Sequence, residues 1–204
     1  MFICLAAGRG ERMKPLTNYL HKAMIPFSGL PFLAYSLLAI PAGSEVVIIV
    51  NYLSDQIRGY FNNCYHGRTI RYLRQRDPRG TGDALFQFSQ AYDPRHPVVV
   101  WQADQLIFSD EIEIISRSEP NAAICSDTPA GLQDLGLWKI MPAALKILRS
   151  RVEDGEYRAL PILQEAGLTV IRTPREKLEI SYGGWEKLER ACVRFKQKFH
   201  IESP

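Results

Sequence analysis

Residues 5–17 combine two closely spaced glycines with several basic side chains. Because glycine tolerates positive φ angles, Gly8 and Gly10 are expected to adopt them and to let the backbone approach a ligand closely. Successive backbone N–H groups in such a loop can form an anion-binding nest. Arg9 and Arg12 add positive charge beside it. The pattern favours a loop that binds phosphate groups.

Two common phosphate-binding motifs do not fit this loop. A dinucleotide fingerprint needs a third glycine three residues after Gly10, where the sequence has Met13. A Walker loop needs a Gly-Lys pair, and the chain contains none. An ordinary glycine turn with exposed arginines therefore stays open as the simple alternative.

Two polar positions follow predicted strands further along the chain. The amide of Gln75, close to Gly80 and Thr81, has both a hydrogen-bond donor and an acceptor. Asp104 follows the apolar run at 98–101, where a carboxylate is costly unless it is capped, paired or bound to a metal. A solvated strand end for Gln75 and a capping role for Asp104 are the alternatives.

Short β-branched runs alternate with helical patterns along the chain. Apolar periodicity predicts strands over 2–5, 46–50, 69–73, 98–101 and 122–125, and helices over 31–39, 53–61, 83–91 and 186–199. The sequence thus predicts an α/β fold with a single doubly wound, mostly parallel sheet flanked by helices, in one domain over 1–204. In such sheets ligands bind beyond the carboxyl ends of the strands. The loops after Leu5, Leu73 and Trp101 should therefore meet at one site. Asn51 or Ser54 is expected to cap the second helix.

Composition excludes several classes of protein. The 204 residues are 46% hydrophobic and 23% charged, with a net charge of +3, which fits a globular protein and argues against nucleic-acid or membrane partners. The four cysteines form no CxxC pair, so we expect reduced thiols and a cytoplasmic protein without zinc. No apolar run approaches the ~20 residues of a membrane span. The apolar start is too short for a signal peptide.

Three segments carry a resemblance to a known family. The loop at 5–17 continues into Lys22-Ala23-Met24-Ile25-Pro26; residues 75–85 hold the spaced Gln75 and Gly80-Thr81-Gly82; and residues 98–104 end on Asp104. Together they resemble the sugar nucleotidyltransferases, which make nucleoside-diphosphate sugars from a nucleoside triphosphate and a sugar 1-phosphate. Strong motifs lie within the first 104 residues, and weaker similarity extends to the terminal helix, as in a short member of the family.

The resemblance implies roles for particular residues. The first loop would bind the triphosphate, Arg12 and Lys22 would be catalytic, and Asp104 would hold Mg²⁺. The nucleotide-binding residues would be Leu5, Ala6, Ala7, Gly8, Arg9, Gly10, Gln75, Gly80 and Thr81. Gln75 fits uracil or thymine and leaves cytosine open.

The sequence also departs from the family pattern. His21 stands where proline is usual, which places a titratable ring near the phosphates, and Ala103 replaces a glycine. The Glu-Lys-Pro tripeptide that holds the sugar phosphate is missing, and the stretch at 125–135 is expected to be too short for its hairpin. At the position of a second metal carboxylate lies Ser181 or Gly183, with Glu179 the nearest acid but out of register.

The leading hypothesis is an Mg²⁺-dependent enzyme that transfers a nucleoside monophosphate to a sugar 1-phosphate or a phosphocholine-like acceptor and releases pyrophosphate. The departures lie on the acceptor and metal side, so a catalytically weakened or silent nucleotide-binding regulator is the alternative. A structural subunit with a decayed site is a third. The sequence does not decide the oligomeric state and leaves a homo-oligomer open.

Overall fold

The computed structural model describes residues 1–92, 94–119, 121–180 and 185–199. The strands are β1 (Phe2–Ala6), β2 (Pro26–Phe27), β3 (Leu30–Pro31), β4 (Glu45–Val50), β5 (Cys64–Tyr65), β6 (Arg68–Arg74), β7 (Val98–Gln102), β8 (Ala122–Thr128), β9 (Gly131–Ile140) and β10 (Thr169–Thr173). The helices are α1 (Phe32–Ala39), α2 (Ser54–Phe61), α3 (Thr81–Tyr92), α4 (Ser109–Arg117), α5 (Pro142–Glu153), α6 (Ala159–Glu165) and α7 (Trp185–Phe199). Three short 3-10 turns, Glu11–Met13, Leu16–Asn18 and Lys22–Met24, join β1 to β2.

Eight of the strands form one mixed, mostly parallel sheet in the order β10-β8-β9-β7-β1-β4-β6-β5. β1 pairs in parallel with both β4 and β7, whereas β9 runs antiparallel to β7 and β8. The chain builds β4 and β6 on one side of β1 and then crosses to β7 on the other. This reversal makes the carboxyl end of β1 a topological switch point, where such folds bind ligands. The predicted fold class is confirmed.

Both faces of the central strands are buried, as continuous apolar runs predict. In β4, Val46, Ile48 and Val50 pack into a core with α1, α2, α4 and α7. Val47 and Ile49 point to the opposite core, with α3, α5 and α6. Since successive strand residues alternate between faces, one run of five apolar residues serves two helical layers.

The predicted cap of α2 was wrong. Neither Asn51 nor Ser54 caps α2: Leu53 occupies the N-cap with a left-handed backbone, and Asn51 donates instead to the carbonyl of Gln75. β8 and β9 form a hairpin that the sequence patterns predicted only at 122–125. Polar residues at the start of β9 hide its strand pattern, because Gly131, Leu132 and Gln133 at the tip of the hairpin are exposed.

The described cysteines are free, and three of the four are buried. Among the described helices, none is both long and apolar enough to cross a membrane.

Candidate active site

A cleft of about 330 Å³ opens at the carboxyl ends of β1, β6 and β7. The loops after Leu5, Leu73 and Trp101 meet there, as predicted. The predicted residues that line the cleft are Leu5, Ala6, Ala7, Gly8, Gly10, Arg12, Lys22, Gln75, Gly80, Thr81 and Asp104. Arg9 is not among them: it is exposed, and its guanidinium lies 6.0 Å from the ring centroid of Tyr52.

The two glycines of the first loop differ in what they do. Gly10 has φ +66°, and its carbonyl accepts hydrogen bonds from the Met13 N–H at 2.8 Å and the Thr17 hydroxyl at 2.9 Å. A Cβ at this position would lie 2.8 Å from Cγ2 of Thr17, so only glycine fits. The expectation of a positive φ at Gly8 is wrong, and a Cβ there would meet nothing within 4 Å. Gly8 instead leaves open space on the cleft side.

His21 is a buried structural residue. Its Nε2 lies 3.0 Å from the Ala6 carbonyl, and its Nδ1 accepts a hydrogen bond from the Ala23 N–H at 3.1 Å. Burial lowers the pKa of His21 to about 4, with Lys22 contributing in the same direction. The ring is therefore neutral near pH 7, and the expectation that it titrates beside the phosphates is wrong. It caps the turn that carries Lys22 and ties that turn to β1.

Lys22 and Asp104 face each other across the cleft. The ammonium of Lys22 lies 2.7 Å from Oδ2 of Asp104. The other oxygen, Oδ1, is buried and accepts no hydrogen bond from any described residue. A buried carboxylate oxygen without a partner is costly, and it fits a site for a hard cation such as Mg²⁺. No three His, Cys, Asp or Glu side chains cluster around a possible metal position anywhere in the described ranges, this site included, so a cation here would need substrate oxygens to complete its shell.

Glu179 joins this pair, although its sequence position looked out of register. The Ile180 N–H donates to the Asp104 carbonyl at 2.9 Å, and the Leu106 N–H donates to the Leu178 carbonyl at 2.9 Å. These bonds align the segment antiparallel to residues 104–106 and bring Glu179 beside Asp104. The second acid is thus supplied by long-range backbone pairing. Ser181 and Gly183, the positions that the pattern indicated, lie outside the described residues.

Three cations surround the Glu179 carboxylate. The distance to a Glu179 carboxylate oxygen is 3.0 Å from the Lys177 ammonium, 3.7 Å from the Arg12 guanidinium and 3.8 Å from the Lys22 ammonium. Burial acts to raise the pKa of Glu179, but the ammonium groups of Lys177 and Lys22 outweigh it and lower that pKa. Glu179 is therefore ionised at neutral pH. Lys177 was missed by the sequence analysis, since no motif marks it.

Gln75 is buried at the other end of the cleft, not a solvated strand end. Its Nε2 donates to Oδ2 of Asp83 at 2.7 Å and, more weakly, to the Gly80 carbonyl at 3.3 Å. Asp83 is fully buried and also accepts from Arg79 at 2.7 Å and Gln87 at 3.0 Å. The sequence analysis missed Asp83, because nothing marks a first-turn helix acid as a partner of Gln75.

The turn before α3 is held against the segment before α6. The Gly82 N–H donates to the Tyr157 carbonyl at 2.7 Å, and a Cβ on Gly80 would collide with the same carbonyl. The Thr81 hydroxyl accepts from the Ala159 N–H at 2.9 Å. The glycines are thus needed for close backbone packing, and the Thr81 hydroxyl has a structural partner.

Comparison with known proteins now decides the family. A sequence model of the nucleotidyl transferase family matches residues 1–129. The chain belongs to this family. The match covers the glycine loop, Lys22, Gln75 and Asp104, and it confirms the resemblance to sugar nucleotidyltransferases.

Curated relatives match between 54% and 59% of the chain. A bifunctional GlmU protein of Methanocaldococcus jannaschii is 34% identical over 112 residues, which is 54% of this chain and 26% of the relative. A D-glycero-alpha-D-manno-heptose 1-phosphate guanylyltransferase of Aneurinibacillus thermoaerophilus is 30% identical over 117 residues, which is 56% of this chain and 50% of the relative. The UTP–glucose-1-phosphate uridylyltransferase AglF of Haloferax volcanii is 32% identical over 123 residues, which is 59% of this chain and 50% of the relative. The chain thus spans half the length of these relatives or less.

Solved structures share the fold over nearly the whole chain. UDP-glucose pyrophosphorylase complexed with UDP-glucose superposes with a TM-score of 0.76 over 97% of this chain and 98% of that one, at 16% identity. A putative glucose-1-phosphate thymidylyltransferase from Bacillus anthracis superposes with a TM-score of 0.77 over 93% of this chain and 94% of that one, at 14% identity. The shared fold therefore extends beyond the segment that the family model matches.

Proposed function

We propose that this protein transfers a nucleoside monophosphate from a nucleoside triphosphate to a sugar 1-phosphate. The observation that carries the proposal is the Lys22–Asp104 pair, which lies beside the glycine loop with one Asp104 oxygen unpartnered. Membership of the nucleotidyl transferase family supports it, as do relatives named for guanylyl and uridylyl transfer to sugar phosphates.

The triphosphate would lie along the first loop. Backbone N–H groups around Gly8 and Gly10 can donate to phosphate oxygens, and the open side of Gly8 allows close approach. The exposed guanidinium of Arg12 can clamp two oxygens of the outer phosphates. Lys22 would then sit nearest the α-phosphate, as a point charge fixed by the His21 cap.

The reaction forms one P–O bond and breaks another. An oxygen of the acceptor phosphate attacks the α-phosphorus, and the bond to the β-phosphate oxygen breaks to release pyrophosphate. Since the second pKa of a phosphate monoester is about 6, the nucleophile is already mostly ionised at pH 7 and needs no general base. Catalysis then rests on positioning and charge neutralisation, which Lys22 and Arg12 can supply.

The residues also fit Mg²⁺ as a cofactor. Asp104 would hold it with Oδ1, and Glu179 is the second carboxylate within reach of the same group of charges. When bound, Mg²⁺ would neutralise phosphate oxygens beside the reacting phosphorus. A silent regulator was considered because a second metal carboxylate was missing, and with Glu179 in that role this reason would no longer hold.

On the acceptor side, Lys177 is a candidate for the cation that the missing Glu-Lys-Pro tripeptide would otherwise provide. Its ammonium lies 3.0 Å from Glu179 on the same segment that borders Asp104. The phosphate of a sugar 1-phosphate, or of a phosphocholine-like acceptor, could be neutralised there. Three free, buried cysteines suit a reducing compartment such as the cytoplasm.

Pyrophosphate release tests the proposal. UTP, dTTP, GTP, CTP and ATP are each offered with Mg²⁺ and a panel of sugar 1-phosphates and phosphocholine. Release that requires one triphosphate together with one acceptor supports the proposal and names both substrates. Triphosphate binding without release from any pair would contradict it and restore the regulatory alternative.

A further inference from the structure

Both amide hydrogens of Gln75 are committed within the protein. One donates to the Asp83 carboxylate at 2.7 Å, and the Gly80 carbonyl takes the weaker bond at 3.3 Å. A carboxylate and a carbonyl are acceptors only. If the amide were turned over, its oxygen would face these acceptors and lose both bonds. The chemistry of the neighbours therefore fixes which end of the amide is which.

This orientation leaves the amide oxygen of Gln75 without a donor. None of the described residues donates to Oε1, and Gln75, of which only 2% is exposed, lines the cleft. Oε1 is therefore free to accept from a ligand in the cleft, and a ligand that supplies an N–H there gains a hydrogen bond in a site largely shielded from water. One that presents a lone pair at the same place meets repulsion.

We propose that Asp83 is a positioning residue for base selection: it holds the Gln75 amide so that Oε1 accepts a hydrogen bond from the ring N–H of uracil, thymine or guanine. The bases differ at the ring nitrogen of their Watson–Crick edge, which is a hydrogen-bond donor in some bases and an acceptor in others. It carries a proton in these three bases and a lone pair in cytosine and adenine. The inference rests on the proposed function and narrows the triphosphate that the site takes.

The substitution Asp83→Ala tests whether this carboxylate orients Gln75. It removes the oxygen that accepts the 2.7 Å hydrogen bond from the Gln75 amide. Gln75 then keeps only the weaker bond to the Gly80 carbonyl at 3.3 Å, so its amide can turn and present either end to the base. The variant should therefore discriminate less between a ring N–H and a ring lone pair.

The experiment measures binding of UTP, dTTP, GTP, CTP and ATP by calorimetry, so that it reads base choice even without turnover. We expect the wild-type protein to prefer UTP, dTTP or GTP. N3-methyl-UTP or N1-methyl-GTP, which lack the ring N–H, should bind about 10- to 100-fold more weakly than the parent nucleotide. These tests use the unaltered protein and do not depend on how a variant folds.

For Asp83→Ala we expect the ratio of affinities for UTP or GTP over CTP or ATP to fall at least about tenfold. Gln87→Ala is the matched control, because it removes another donor to Asp83 and leaves the Gln75 contact in place. Its ratio should stay at the wild-type value.

A wild-type preference for CTP or ATP, tight binding of the methylated nucleotide, or an unchanged ratio in folded Asp83→Ala protein would each overturn the inference. Binding that follows the expected pattern without pyrophosphate release would contradict the proposed catalysis alone. Binding of none of the five triphosphates would overturn both.

Discussion

Lys22 and Asp104 form a 2.7 Å ion pair across 82 positions of sequence. One residue stands on a 3-10 turn after β1, and the other follows β7, the parallel neighbour of β1. The pairing of these two strands fixes the distance between the two charges. Both side chains border open cleft space, so either charge can also meet a ligand.

Replacing either partner should remove activity while leaving the fold intact. For Lys22→Ala and Asp104→Asn we expect turnover to fall by more than about 100-fold, as for loss of other charge-stabilising groups. Because both side chains border the cleft, water can reach the unpaired partner, and the melting temperature should change by less than about 5 °C. Pyrophosphate release and thermal unfolding measure the two quantities. The exposed Lys146→Ala on α5 is the control. Wild-type rates in both site variants would mean that this pair is not the catalytic centre.

The two loop glycines should separate folding from binding. Gly10→Ala forces an L side chain into φ +66° and against Thr17, so we expect a loss of about 2 kcal/mol or more in the free energy of unfolding. Gly8→Ala meets no atom within 4 Å and should leave stability unchanged. Since its methyl group would occupy cleft space, triphosphate affinity should fall. Chemical denaturation and calorimetry test both statements, and equal stability losses would contradict the distinction.

The contrast between these residues shows what the sequence could predict. Buried strands are marked by continuous apolar runs. Lys22, Gln75 and Asp104 are marked because each lies in a short segment that resembles the sugar nucleotidyltransferases. Gly8 and Gly10 look alike in sequence, and only the packing of Thr17 tells them apart. Glu179 could not be placed, because backbone pairing with residues 104–106 sets its register.

Glu179→Gln should change the metal requirement more than the fold. The substitution removes one of the two carboxylates near Lys22, so the Mg²⁺ concentration for half-maximal activity should rise about 10-fold or more. The amide keeps the size of the side chain, which should preserve the backbone pairing between residues 104–106 and residues 178–180. A chelator should abolish wild-type activity, and added Mg²⁺ should restore it. Glu153→Gln, at an exposed position of α5, serves as the control. An unchanged Mg²⁺ requirement in the Glu179→Gln variant would show that Glu179 does not help to bind the metal ion.

His21 should make stability depend on pH in the acid range. Its pKa falls from 6.5 to about 4 on folding, so between these values the unfolded chain binds a proton that the native protein does not. The stabilisation is complete above pH 6.5 and is lost as the pH falls toward 4. Between pH 7 and 4.5 this residue alone should cost about 2 to 3 kcal/mol.

His21→Asn isolates this contribution from that of the other acids. Asparagine can accept the Ala23 hydrogen bond in the same capping position but does not titrate. Urea unfolding of both proteins at pH 7 and pH 4.5 gives the comparison. The wild-type protein should lose more stability than the variant over this interval, by the amount expected for one proton. Parallel losses in the two proteins would show that folding does not lower the pKa of His21, so that the native ring takes up its proton over the same pH range as the unfolded chain.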